Sequence, residues 1–219
     1  MTGILFAEMT PDVAWESKFN EWYDNDHIRS RMQIRGFEGA QRYRIEEGDS
    51  YLIVYDMESL SVLKTPEYEY LKTHESEQTK WMLANVHNFT RNLGTEIGRD
   101  HFDDRAREAP LIFVSMFNVP QQYCEAFDEW MTKDHAPLLL KNKDWLAIRR
   151  FHMTLSEPHP FTRLAIHYLA SPAALQSQER AAARGTPWRA RMAEQHNWFR
   201  EGKTSVFSRH GSFYRPTST

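Results

Sequence analysis

Two histidines end matching segments of the chain: Phe19-Asn-Glu-Trp-Tyr-Asp-Asn-Asp-His27 is answered by Phe127-Asp-Glu-Trp-Met-Thr-Lys-Asp-His135. An unperturbed imidazole titrates at about 6.5, so His27 and His135 are suited to take or return a proton at neutral pH. Residues four apart on a helix share a face, which puts Phe19, Tyr23 and His27 on one core-facing stripe and Phe127, Met131 and His135 on its twin. The plainer reading is a structural one, because a histidine in a last helical turn meets the helix dipole favourably. Repetition leaves both open, since duplication copies caps and catalytic groups alike.

Other polar groups recur in step. Arg42-Tyr43 is matched by Arg150-Phe151 at the same offset as the histidines, and His87-Asn88-Phe89 by His196-Asn197-Trp198 one position beyond it. Neighbours on a strand point to opposite faces, so with Tyr43 and Phe151 in the core, Arg42 and Arg150 face the other way. An enclosed guanidinium there is an anchor for a carboxylate or phenolate; one paired with Glu21 or Glu129 is not. His87 and His196 fall near the ends of the second helices, each followed by Asn, as a left-handed helix stop or as assisting imidazoles. Tyr55, matched by His167, is a polar tip on an apolar strand. Trp22 and Trp130 read first as packing of helix on sheet, and second as walls of an aromatic pocket. The candidate catalytic residues are His27, His135, Tyr43 (donating to an oxyanion) and His87. The candidate substrate-binding residues are Arg42, Trp22, Tyr55, His167, Arg150 and His196.

These groups must be positioned by a folded chain, and the composition supports one. Of 219 residues, 41% are hydrophobic and 26% charged, enough apolar material for a core and too little charge bias for disorder. Lys plus Arg total 27 against 30 Asp plus Glu, a net charge of -3 that gives no basic excess for nucleic acid or an anionic membrane. The single cysteine, Cys124, allows no intrachain disulfide and fits a reducing compartment, with the cytoplasm as the expected location. The opening MTGILFAEMTPD reads as a strand rather than a signal peptide, and no apolar run has membrane-spanning length. Dinucleotide and phosphate-loop glycine motifs, the esterase G-x-S-x-G and the zinc H-E-x-x-H are absent, and no metal is expected.

Periodicity and breakers give each half the order strand, helix, strand, strand, helix, strand. In the first half these are Ile4–Met9, Val13–Met32, Phe37–Glu46, Tyr51–Met57, Leu60–Arg91 (interrupted near Thr65-Pro66) and Asn92–Arg99. In the second they are Leu111–Val119, Gln121–Asn142, Trp145–Leu155, Thr162–Leu169, Pro172–Glu201 (broken at Gly185-Thr-Pro187) and Thr204–Phe213. The expected fold class is α+β: two tandem ferredoxin-like βαββαβ units, 1–104 and 105–219, each with both helices on one sheet face. The bare faces are then covered by laying sheet against sheet within one chain.

The stretch FNEWYDNDHIRSRMQIRGFEGAQRYRI, followed by YLIVYDMESLSVLKTPEYEYL, resembles the dimeric α+β barrel superfamily, and within it the EthD-like and uncharacterised relatives. These carry a Trp-Tyr-x-x-x-His helix segment, an Arg-Tyr strand and a Leu-Lys-Ser/Thr-Pro-x-Tyr segment. The second half keeps Trp130, Asp134, His135 and Arg150 but has Met131 for Tyr23 and Phe151 for Tyr43. The resemblance implies an intrachain version of the barrel, and a superfamily of isomerases, cyclases, dehydratases, cofactor-free monooxygenases and haem proteins. The expectation drawn from it is a cofactor-independent enzyme doing acid–base chemistry (lyase, isomerase, dehydratase or cyclase) on a small apolar, oxygenated or aromatic metabolite. The alternatives are a monooxygenase of the same barrel, cofactor-free or haem-dependent with His135, His167 or His196 as axial ligand, and a non-catalytic small-molecule-binding protein. The expected partner is a small molecule, with the chain a monomeric pseudo-dimer or a homodimer.

Overall fold

In a computed structural model, which describes residues 1–217, β1 (Gly3–Met9) is buried along its whole length. The helical stretch that follows begins where Asp12 Oδ1 accepts the Ala14 amide at 2.7 Å, satisfying a donor that a helix start leaves free. It runs as a 3-10 turn (Val13–Trp15), α1 (Glu16–Trp22), a π-helical turn (Tyr23–His27) and α2 (Ile28–Met32). Its limits are those expected from the sequence, but the π turn is not legible there. Single π turns inside α-helices recur at functional sites, because the extra residue re-aims the side chains that follow.

A hairpin joins β2 (Phe37–Ile45) to β3 (Tyr51–Met57). The second helix expected over Leu60–Arg91 is instead three pieces: a 3-10 turn (Leu60–Lys64), α3 (Pro66–Thr73) and α4 (Glu77–Asn85). Thr65 is extended and caps α3, with Pro66 in its first turn where the missing amide costs nothing. Ser76 caps α4 in the same way, accepting from Thr79 N. β4 (Arg91–Asp100) then starts where the helix had been expected to end.

Asp103 next caps a short helix, α5 (Asp104–Arg107). The order then recurs: β5 (Leu111–Phe117), α6 (Cys124–Trp130), a second π turn (Met131–His135), α7 (Ala136–Leu139), β6 (Trp145–Glu157) and β7 (Arg163–Leu169). The second helix is again divided, into a 3-10 turn (Pro172–Gln176), α8 (Gln178–Arg184), α9 (Pro187–Gln195) and α10 (Asn197–Arg200), before β8 (Lys203–Tyr214). Ser177 and Thr186 cap α8 and α9.

The chain divides into two compact units, one of residues 1–96, 154–158 and 210 onward, the other of 97–153 and 159–209. Strand order is β4-β1-β3-β2 in the first and β8-β5-β7-β6 in the second, antiparallel at every step. The hydrogen-bonded order of all eight strands closes on itself as a barrel. Corresponding pairs align, Leu5 opposite Tyr55 and Phe113 opposite His167, and β2 and β6 bulge at corresponding points near Phe37 and Trp145. In the first unit, one apolar cluster joins the α1 face (Phe19, Trp22) to alternate residues of β1 and β3 (Leu5, Ala7, Met9, Ile53, Tyr55). No helix among the described residues is long and apolar enough to cross a membrane.

Candidate functional site

A cavity of about 200 Å³ lies in the first unit between sheet and helices. Period-two alternation supplies its floor, with Leu5, Ala7 and Met9 from β1 and Ile53 and Tyr55 from β3. Helical spacing supplies its roof: Tyr23, His27 and Arg31 from the π turn and α2, and Tyr68 and Lys72 from α3. Leu83, Phe89 and Arg91 complete the lining.

His27 closes the π turn with its ring against Trp22 and Tyr23, centroids 4.5 and 4.8 Å away. Burial, with the positive charges of Arg31, Lys72 and Arg42, holds this imidazole well below its ordinary 6.5, so it is neutral at physiological pH. Arg31 follows one turn later, only 6% exposed. Its Nη1 donates to the His27 carbonyl at 2.7 Å, and its guanidinium lies 5.9 Å from the Tyr55 ring centroid. Among the described residues Arg31 has no carboxylate partner, and no carboxylate lines the cavity.

The phenols are protonated donors. Burial pushes Tyr23 up to about 12, against the lowering pull of Arg31, Arg42 and the nearby Tyr55 hydroxyl. Burial likewise pushes Tyr55 well above its ordinary 10.0, with Tyr23 adding to the shift. The Tyr55 hydroxyl is fully buried and lacks a partner in hydrogen-bonding geometry. A neutral base, a buried cation and an unsatisfied donor thus converge on one largely apolar space.

Of the residues expected here, His27 and Tyr55 line the cavity. Arg42 does not. It is 1% exposed, but donates to Asp24 at 2.6 Å and Asn20 at 2.5 Å and stacks over Tyr23 at 4.7 Å, so its charge serves the helix–sheet interface. Tyr43 is buried on the β2 face opposite Arg42 and takes no part in the lining. Trp22 stands behind His27, its Nε1–H donating to Thr79 Oγ1 at 3.1 Å, and holds the imidazole instead of walling the pocket. His87 lies past the end of α4, exposed, in a two-way backbone bridge with Thr10 (2.9 and 2.8 Å). The left-handed residue is Asn88, with φ of 51°. Arg31, Tyr68 and Lys72 were missed. Arg31 continues the Phe19, Tyr23, His27 stripe by one more turn, and that spacing is the signal that would have found it.

The second unit has a cavity of about 380 Å³ in the corresponding place, lined by His135 and His167 among others. The His135 ring stacks on Trp130 at 4.6 Å, and its Nδ1 bonds the Ala183 carbonyl at 3.2 Å. Burial, with Arg189 and Arg184, brings it down to about 4, against the raising effects of that carbonyl and Asp134. His167 is 1% exposed and its Nδ1 accepts from Trp145 Nε1 at 3.2 Å, which places its proton on Nε2. His196 stacks on Tyr123 and Trp198 outside the cavity. Arg150 pairs with Asp100 and donates to Thr132, its guanidinium lying where a Cβ on Gly98 would sit. Of the three histidines weighed as haem ligands, His135 has its Nδ1 on a carbonyl, which leaves the Nε2 lone pair free as in a metal-binding imidazole, whereas the Nε2 of His167 carries the proton. Among the described residues no group of three or more His, Cys, Asp or Glu converges as a metal site.

No protein-family model and no curated protein matches this chain. Solved structures do. The chain is similar to an anthrone oxidase-like protein, at a TM-score of 0.74 and 9% identity over 99% of this chain and 94% of that one. It is also similar to a candidate monooxygenase of Fusobacterium nucleatum subsp. nucleatum (TM-score 0.66, 8% identity, 100% and 96% covered). A mutant chlorite dismutase from Candidatus Nitrospira defluvii follows (TM-score 0.57, 9% identity, 96% and 91% covered). The fold is that of the dimeric α+β barrels. At such identities the likeness carries the fold and no residue's role.

Proposed function

We propose that this protein is an enzyme that removes a proton from a small oxygenated aromatic molecule in the first unit's cavity and passes the resulting anion to dioxygen. The observation that carries this reading is a neutral imidazole, His27, beside an uncompensated guanidinium, Arg31, in one apolar cavity. A base whose conjugate acid is strong works only on a proton already made acidic, such as one on a carbon flanked by aromatic rings and conjugated to a carbonyl. As that proton leaves for His27, charge moves to the carbonyl oxygen. Arg31 and the Tyr23 and Tyr55 hydroxyls are the donors available to stabilise it, in surroundings where water does not compete.

The anion gives one electron to dioxygen, and the organic radical and superoxide combine into a peroxide on the same carbon. The peroxide takes back the proton held by His27; loss of the remaining proton on that carbon to the freed imidazole then breaks the O–O bond, and the departing hydroxide takes that proton, leaving a ketone and one water. The names of the fold neighbours, anthrone oxidase-like and monooxygenase, favour oxygen as the acceptor. A lyase, isomerase, dehydratase or cyclase would share only the proton-abstraction step. The matching π turns and bulges support descent of the two halves, 1–104 and 105–219, from one duplicated ferredoxin-like unit; an EthD-like origin of that unit is supported by its sequence segments alone.

Anthrone is the test substrate. Oxygen uptake equal to the anthraquinone formed, lost by roughly 100-fold or more in His27→Ala, is the expected result. Without oxygen, the same enzyme should exchange the acidic C–H of anthrone with heavy water. Exchange without uptake would leave acid–base chemistry and remove oxygenation; neither would remove the reading.

A further inference from the structure

The two cavities are built at matching positions and carry different chemistry. Leu5, Ala7 and Met9 on β1 are answered by Phe113, Ser115 and Phe117 on β5, and Tyr55 on β3 by His167 on β7. Counted from their caps, Thr65 and Ser177, Tyr68 and Lys72 on α3 are answered by Arg180 and Arg184 on α8. In the π turn and the helix after it, Met131 stands for Tyr23 and Leu139 for Arg31. The second cavity has therefore lost the phenols and the buried cation, while its mouth has gained charge.

That mouth carries Arg180, Arg184, Arg189 and Arg200, with no carboxylate in the lining. Among the described residues none of the four is in an ion pair. Arg180 lies over Phe113 at 5.6 Å and Arg189 over Phe199 at 5.4 Å, so two guanidiniums are held along the cavity wall by its own aromatic rings. Their polar contacts are uncharged: Arg180 donates to the Leu175 carbonyl at 2.6 Å, Arg189 to the Arg184 carbonyl at 3.3 Å, and Arg200 to Asn197 Oδ1. Asp134, the acidic neighbour of His135, is engaged by the Thr186 hydroxyl at 2.6 Å. Gathering unpaired like charges around an opening is unfavourable unless an anion neutralises them. Guanidiniums offer paired donors that match carboxylate and phosphate oxygens.

We infer that the second unit's cavity is a separate binding site for an organic polyanion, an aromatic body carrying two or more carboxylate or phosphate groups. The body would rest among Phe113, Trp130, Trp145 and Phe199, with its oxyanions at the arginines. This inference stands apart from the reaction in the first unit and is read by binding alone.

The probes are benzene-1,3,5-tricarboxylate and benzoate, titrated calorimetrically into the whole protein, with phenyl phosphate as a third ligand to separate carboxylate from phosphate preference. The tricarboxylate is expected to bind one per chain, at least ten-fold more tightly than benzoate, and to weaken as salt is raised. Arg184 and Arg200 are exposed, so the double variant R184Q/R200Q should keep its circular dichroism and lose at least ten-fold in affinity. R180Q/R189Q gives a second, independent variant of the same mouth, and Arg31→Gln should leave the tricarboxylate affinity unchanged. Equal affinity for benzoate, or tricarboxylate binding untouched in both double variants, would overturn the site. Binding lost in Arg31→Gln alone would place the anion in the first cavity and overturn it equally.

Discussion

Tyr55 is a single hydroxyl with an outsized role to test. A buried donor without a partner costs stability, so Tyr55→Phe should leave the empty protein as stable or up to about 1 kcal/mol more stable in urea unfolding. Turnover should nevertheless fall, because the lost donor is one the developing oxyanion would use. A loss of stability with unchanged turnover would place the hydroxyl in the fold instead. His27 makes a companion prediction in pH. Its imidazole is held well below 6.5, so it stays in the base form as the medium is acidified, and the acid limb of kcat/KM should lie below pH 6.5. A limb at or above that value would mean that another group is the base. At this scale the sequence was half legible. His27 and Tyr55 stood out because His135 and His167 repeat them. Arg31 was hidden because its counterpart is Leu139, and a search for repetition is blind where the two halves diverge.

At the scale of elements, the π turn decides where His27 points. Deleting Asn25 should let Tyr23–His27 relax toward α geometry and turn every later side chain of α2 by about 100° relative to α1. The expected outcome is a folded protein by circular dichroism that loses His27-dependent proton exchange. Retained exchange would show that the π turn is incidental. Strands, hairpins and first helices were readable from period and punctuation, since burial alternation and turn residues are local signals. The π turn was not, because an inserted residue leaves composition and period almost unchanged over so few positions. The division of the second helices was visible only at proline. The Ser76 cap, which ends the α3–α4 junction, needed the side-chain geometry to be recognised.

For the molecule as a whole, buried neutral histidines couple stability to pH. The unfolded chain binds a proton at His135 near 6.5, whereas the folded chain binds it only near 4. Between those values the unfolded state holds more protons, so stability is full above about 6.5 and declines as pH falls through 4. Urea midpoints measured from pH 7 to pH 4 should therefore drop, and His135→Asn should flatten the profile. An unchanged slope in the variant would show that His135 is not responsible. The fold class was legible because two periodic halves announced it; the compact units were not, because they do not follow the midpoint of the chain.

Strands β4, β6 and β8 each begin in one compact unit and end in the other. A single scission near residue 104 would therefore sever the first unit from strand ends at 154–158 and 210 onward that belong to it. Such a chain cannot shed one half and keep the other intact, so the two cavities are inherited together. Change can accumulate in the side chains of either, as the exchange of Tyr68 for Arg180 illustrates, while the doubled scaffold stays under a common constraint.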